Sequence, residues 1–123
     1  MGKAANSSIS LKQIHVTDNF WNKYVHLVKD VIIPYQWDIL NDKLEDVETS
    51  HCIENFKIAA GEKEGEFQGA VFQDTDVAKW LEAVGFVLNY ERDEKLEELA
   101  DETIELIGRA QPVSYTHLRA HET

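Results

Sequence analysis

The stretch Asp74–Leu88, DTDVAKWLEAVGFVL, decides the fold class of this chain. Its large apolar side chains recur at steps of three and four residues, which is typical of a helix with one broad apolar face. They are Val77, Trp80, Leu81, Val84, Val87 and Leu88. Asp74 or Thr75 is suited to begin this helix, and Gly85 inside it predicts a close approach by a neighbouring helix. Because Trp80 fits the apolar face, we expect it in the core and not at a ligand.

A second helix with the same pattern follows directly. Asp93 is suited to cap it, and its inward positions share helical spacing; they are Leu96, Leu99, Ala100, Thr103, Leu106 and Ile107. Glu105 and Arg109, four residues apart, are expected to pair on the outer face. A turn at Glu91–Asp93 would join the two helices as an antiparallel hairpin.

The first half of the chain also favours helices. Thr17 or Asp18 can cap a helix whose apolar stripe predicts a core-facing surface; the stripe contains Phe20, Tyr24, Leu27 or Val28, and Val31, widened by Trp21, Val25 and Ile32. Pro34 should kink or restart this helix, because proline lacks an N–H and clashes with the preceding turn. Ser50 can cap a short helix that ends at Gly61, and a loop over 62–72 follows. No segment alternates with period two, so we expect an all-α fold.

Length and charge exclude several classes of protein. A chain of 123 residues allows one domain, and its net charge of −11 disfavours nucleic acid and anionic membrane surfaces as partners. The single cysteine, Cys52, can form no internal disulfide, which is compatible with a reducing compartment. No stretch is long and apolar enough for a secretion signal or a membrane span, so we expect a cytoplasmic protein.

Five strings, in order, are more specific than helical periodicity: NFWNKYV, VIIPYQWDILND, SHCIENFKIAAG, FQGAVFQDTDVAKWLEA and DETIELIGRAQ. Together they resemble glycoside hydrolase family 127, the β-L-arabinofuranosidases, over about Ile14 to Gln111. The resemblance implies an (α/α)6 barrel, of which this chain would form only the opening helices, at 1–112. The resemblance stops after Gln111, and we expect 113–123 to be a non-native tail resembling translated sequencing adapter. His117 and His121 in that tail are therefore not interpreted as a metal pair.

The same resemblance implies a retaining hydrolase that removes β-L-arabinofuranosyl residues from plant-type glycans. It also implies a zinc-bound cysteine as nucleophile and a glutamate as acid/base, both from later polypeptide. We therefore expect neither catalytic residues nor metal ligands in this chain, no cofactor of its own, and zinc only in the full-length parent. Cys52 lies where the family has no catalytic cysteine, so we expect it to pack as a small apolar group.

Three residues are candidates for sugar binding: Gln36, Phe72 and Asp74. The resemblance places Gln36, between Tyr35 and Trp37, in a PYQW motif of the arabinose pocket, where an amide can both donate to and accept from hydroxyl groups. A buried amide that bonds a helix cap or a neighbouring helix is the alternative. Phe72 and Asp74 lie where a glycine-containing loop enters a helix, although Asp74 can equally be the helix cap.

Other readings of the sequence remain open at this point. His51 and Asn55, four apart on one helical face, can contact a ligand or cross-link structure, and we favour structure. Asp74 and Asp76 are not interpreted as an acid pair for hydrolysis, because both would be solvated at a helix start. A small acidic all-helical binding or scaffold module without enzymatic activity is the alternative function. Another α-barrel enzyme with a different sugar preference is a third.

Overall fold

A computed structural model describes residues 8–70 and 72–111, and these contain helices and loops but no strand. The helices are α1 (Asn19–Leu27), α2 (Ile33–Leu40), α3 (Cys52–Ala59), α4 (Asp74–Tyr90) and α5 (Glu94–Ala110). A 3₁₀ turn at Leu11–Gln13 precedes α1, and a π turn at Val28–Ile32 joins α1 to α2. The all-α prediction is confirmed for the described residues. The boundary after 112 and the segment 113–123 lie outside them.

The junction between α1 and α2 follows from Pro34. Asp18 caps α1 by accepting the Trp21 N–H, as expected. Before the proline the backbone widens, so that the Ile33 N–H donates to the Val28 carbonyl five residues earlier. A wider turn makes room for a ring that would otherwise clash with the carbonyl four residues before it. The helix therefore continues through Pro34 with a local irregularity.

The apolar stripe of α1 does not face a core, contrary to the sequence prediction. Phe20 is 61% exposed and Trp21 is 60% exposed, and Tyr24, Leu27, Val28 and Val31 are exposed as well. The aromatic rings contact one another, with Phe20 and Trp21 edge to face at 5.0 Å between centroids. Helix α1 packs mainly against the π turn that follows it in the chain. The stripe stays exposed because the described residues provide no helix across it.

The core lies among α2, α3, α4 and α5. Its buried residues are Ile33, Leu40, Cys52, Ile53, Val77, Trp80, Val84, Ala100 and Leu106. Trp80 is 2% exposed, its indole N–H donates to the Ile33 carbonyl at 3.0 Å, and its ring lies 4.7 Å from that of Trp37. Its predicted place in the core is confirmed. The indole bond also supplies a partner for a buried polar group, which would otherwise be costly.

Local capping sets the ends of α3. Gly61 has φ +78, and the bonds from Gly61 N–H to Ile58 and from Glu62 N–H to Lys57 form a Schellman motif. At the other end the helix begins at Cys52, with His51 in the cap position. Ser50 still contributes, because its hydroxyl accepts the Cys52 N–H at 3.4 Å.

Helices α4 and α5 form the expected hairpin through 91–93. Asp93 caps α5 by accepting the Leu96 N–H, as predicted. Two expectations are wrong. A methyl group at Gly85 would meet nothing within 4 Å, so that glycine faces open space and not a neighbouring helix. Arg109 pairs across the fold with Glu62 at 3.2 Å, and not along its own helix with Glu105.

Candidate functional site

Gln36 lies on an open groove between α2 and α4, called here the Gln36 groove. Its volume is about 450 Å³, and its walls comprise Gln36, Ile39, Leu40, Asp76, Lys79, Trp80 and Ala83. Gln36 itself is exposed. The amide can therefore reach a molecule that enters the groove. Whether it binds sugar stays a prediction.

The aromatic neighbours of Gln36 do not share its groove. Adjacent helical residues point about 100° apart, so Tyr35 and Trp37 leave the helix in other directions. Trp37 contacts Trp80 on the inner side of α2, with the two rings tilted by 34°. The charged groups on the rim come from α4 instead, where Asp76 and Lys79 approach to 3.9 Å. Lys79 was not singled out from the sequence, although its three-residue spacing from Asp76 was a possible signal.

The structure does not bring Phe72 and Asp74 to Gln36. Asp74 lines a second groove of about 670 Å³, the Asp74 groove, together with Asn55, Phe67 and Gln111 among others. Phe72 is 68% exposed and lines neither groove. Asp74 is also not the helix cap, because Gln73 occupies that position and Asp74 begins the first turn. Sugar binding by Phe72 and Asp74 stays a prediction.

Side-chain amides hold the loop that leads into α4. The Asn55 amide donates to the Gln68 carbonyl at 2.8 Å and accepts the Gln68 N–H at 3.1 Å, which confirms a structural role for Asn55. Gln73 accepts the Ala70 N–H through Oε1. Gly69 has φ +92, and a Cβ there would collide with the Gln73 side chain. These contacts position the loop that precedes the first turn of α4, in which Asp74 and Asp76 lie.

Cys52 is unsuited to nucleophilic chemistry. It is 1% exposed, and its thiol donates to the Gln73 carbonyl at 3.1 Å. Burial raises the pKa of the thiol to about 11, and the carboxylates of Asp76, Asp74 and Asp42 act in the same direction. The group is therefore protonated at neutral pH, whereas both nucleophiles and zinc ligands must be thiolates. The residues of this chain do not fit the zinc–cysteine centre that the resemblance implies, and Cys52 packs in the core as expected.

None of the helices in 8–70 and 72–111 is long and apolar enough to cross a membrane. Asp74 lines the Asp74 groove, whereas Asp76 lines the Gln36 groove. One cluster escaped the sequence reasoning, namely Asp42 with His51 and Glu54, whose ligand atoms lie within 4.8 Å of one another. Asp42 and His51 are nine residues apart across a loop, and no local spacing rule joins them.

Comparisons with known proteins agree with the fold. Residues 13–120 match the family described as beta-L-arabinofuranosidase, GH127 catalytic domain. A non-reducing end beta-L-arabinofuranosidase from Bifidobacterium longum subsp. longum is 39% identical over 110 residues, a match that covers 80% of this chain and 17% of the relative. The crystal structure of a GH127 beta-L-arabinofuranosidase from Geobacillus stearothermophilus T6 matches with a TM-score of 0.80 and 57% identity, over 82% of this chain and 16% of that one.

These matches settle the family and the fold class. The chain spans about a sixth of the length of its relatives, and its helices correspond to the opening helices of an α/α barrel. The similarity of sequence and the similarity of structure agree over most of the chain. The chain therefore belongs to glycoside hydrolase family 127, the β-L-arabinofuranosidase family.

Proposed function

We propose that this chain forms the opening part of a retaining glycoside hydrolase that removes β-L-arabinofuranosyl residues from plant-type glycans. The family membership carries the proposal, because the relatives are beta-L-arabinofuranosidases by name. We also propose a cytoplasmic location, with which the single cysteine is compatible. The catalytic groups and the zinc would come from other parts of the polypeptide.

The Gln36 groove is the part of this chain that we propose contacts the sugar. The Gln36 amide offers a donor and an acceptor, Asp76 offers acceptors, and Lys79 offers donors. Such groups match the hydroxyls of a furanose ring, while the apolar wall at Ile39 and Ala83 excludes water from one side. Gln36 would bind and orient the substrate without exchanging a proton.

Retention requires a nucleophile and a proton-donating acid close to the anomeric carbon. The thiol of Cys52 is buried and protonated, so it supplies no nucleophile. The proposal therefore assigns binding and not bond cleavage to this chain. We expect the 123-residue chain alone to hydrolyse no arabinofuranoside.

A chimera tests the proposal. Residues 13–111 would replace the matching segment of the Geobacillus enzyme, which is 57% identical. We expect the chimera to hydrolyse a chromogenic β-L-arabinofuranoside. Gln36→Ala should lower its kcat/KM at least about tenfold, a loss near 1.4 kcal/mol of transition-state stabilisation. Gln13→Ala, at another exposed glutamine, is the matched control and should leave kcat/KM unchanged.

The possible outcomes separate the hypotheses. A folded but inactive chimera would contradict the assignment to the hydrolase and favour a binding or scaffold module. An active chimera with unchanged kinetics in Gln36→Ala would retain the family activity but remove Gln36 from the binding site. A chimera active only on a different sugar would favour the third hypothesis.

A further inference from the structure

The loop between α2 and α3 is closed by one carboxylate. Asp42 accepts the backbone N–H groups of Ser50 and His51 through Oδ1, at 2.6 and 3.1 Å, and that of His51 also through Oδ2. These bonds hold the carboxylate in one orientation beside the imidazole of His51. Backbone donors of this kind orient the carboxylate ligands of metal sites.

The imidazole of His51 has an unused nitrogen. Its Nδ1 atom is shielded from solvent and, among the described residues, makes no hydrogen bond. The nearest acidic atom is Asp42 Oδ2 at 3.6 Å, which is beyond hydrogen-bond distance. A buried polar atom of this kind normally has a partner, either a protein group, a water or an ion.

Glu54 completes a set of three potential ligands. It lies in the first turn of α3, and one ligand atom each from Asp42, His51 and Glu54 lie within 4.8 Å of one another. Two ligands at about 2.0–2.1 Å from a tetrahedral zinc ion are roughly 3.3 Å apart. The separation of 3.6 Å between His51 Nδ1 and Asp42 Oδ2 is therefore close to that of two ligands on one ion.

We propose that Asp42, His51 and Glu54 bind a divalent cation of the zinc class, with water in the remaining position. One imidazole nitrogen and two carboxylates suit zinc better than calcium or magnesium, which prefer oxygen alone. The cation would tie the α2–α3 loop to the start of α3. The site uses no cysteine, so it differs from the zinc centre that the family resemblance implies in later polypeptide.

A positively charged side chain, that of Lys63, lies beside one of the proposed ligands, Glu54. Lys63 Nζ contacts Glu54 Oε1 at 2.6 Å, so a cation at this site would compete with the Lys63 ammonium for the Glu54 carboxylate. The N-terminus of α3 adds about half a positive charge. Both oppose a cation, while the carboxylates of Asp42 and Glu54 attract it. Removing the Lys63 ammonium should therefore tighten binding, an effect that a purely structural cluster would not show.

Zinc titration of the 123-residue chain by calorimetry tests the proposal. The background carries His117→Ala and His121→Ala, because those histidines could bind zinc independently. We expect one zinc ion per chain, at least about tenfold weaker binding in His51→Gln and Glu54→Gln, and tighter binding in Lys63→Gln. His26→Gln is the control, since His26 is exposed on α1, where its imidazole pairs with Asp30 at 3.9 Å outside the proposed site, and binding should not change.

In the titration, two results would overturn the site: zinc binding only in the millimolar range, and equal affinity in the parent chain and in Glu54→Gln. Circular dichroism would show whether each variant stays folded. If His51→Gln unfolds, Glu54→Gln and zinc-edge anomalous density in zinc-soaked crystals decide. A peak among the three side chains supports the proposal, and its absence there refutes it.

Discussion

Because the thiol of Cys52 is buried, the unfolding free energy of this chain should decrease at alkaline pH. Burial raises its pKa from 9.0 to about 11. The folded state therefore keeps the proton over a range in which the unfolded chain has lost it. The resulting stabilisation is fully present below pH 9 and is lost as the pH rises through 11. A pKa difference of this size corresponds to a loss of about 2–3 kcal/mol.

Cys52→Ala isolates this effect from the titration of lysines and tyrosines. The substitution removes the thiol and leaves a small void, whose cost does not vary with pH. Both proteins would be unfolded in urea from about pH 8 to pH 11. Over this range the unfolding free energy of the original chain should fall by about 2–3 kcal/mol relative to that of Cys52→Ala. Ultraviolet absorbance of the thiolate gives the pKa directly, with Cys52→Ala as the blank.

A constant stability difference across this range would refute the reasoning. A thiolate that appears with a midpoint near the ordinary value of 9.0 would do the same. Either result would mean that water reaches the sulfur of Cys52, which the structure buries against the Gln73 carbonyl. Zinc-free buffers should be used throughout, so that metal bound elsewhere in the chain does not affect the unfolding free energy.

Three further predictions concern stability, each measured as the free energy of urea unfolding. Trp80→Phe should cost about 1–3 kcal/mol, because it leaves the buried Ile33 carbonyl without its indole donor; a cost near zero would show that another donor replaces it. Asp93→Ala should cost about 0.5–2 kcal/mol through loss of the α5 cap, whereas Asp93→Asn should keep most of that stabilisation, because Asn can also cap a helix. Gly85→Ala should stabilise by about 0.4–1 kcal/mol, since the added methyl group meets nothing within 4 Å inside a helix. Gly61→Ala, the same chemical change at φ +78, should destabilise by about 1 kcal/mol, and equal signs for the two glycines would contradict the argument.

Local rules placed most helix ends correctly. Asp18 and Asp93 cap α1 and α5, and Gly61 ends α3 in a left-handed conformation. Each of these depends on a few neighbouring residues, so the sequence contains the whole cause. Asp74 failed as a cap because Gln73 precedes it in helical conformation. The helix α4 nevertheless begins at Asp74, one of the two starts that the sequence predicts, and Thr75 donates to the Phe72 carbonyl in the turn before it.

The candidate site was less accessible from sequence. The motif assigned Gln36 to a sugar pocket, which stays a prediction, and it did not identify the groove partners Asp76 and Lys79, which come from α4, far along the chain. Phe72 and Asp74 are close in sequence to Asp76. Asp74, however, projects from a different side of α4 than Asp76 and lines another groove. Which side chains share a groove depends on the packing of α2 against α4, and spacing rules do not contain that information.

The sequence by itself determined that this chain is helical, where most of its helices begin and end, and which family it resembles. Those properties depend on apolar periodicity, caps and short motifs, all of them local. Only the tertiary structure decided that the stripe of α1 lies exposed while the similar stripe of α4 is buried. A periodic apolar face indicates that a helix can be buried. Burial itself also requires a second surface that packs against this face. The meeting of Asp42, His51 and Glu54 was decided in the same way, because loop closure brings together groups that no sequence spacing relates.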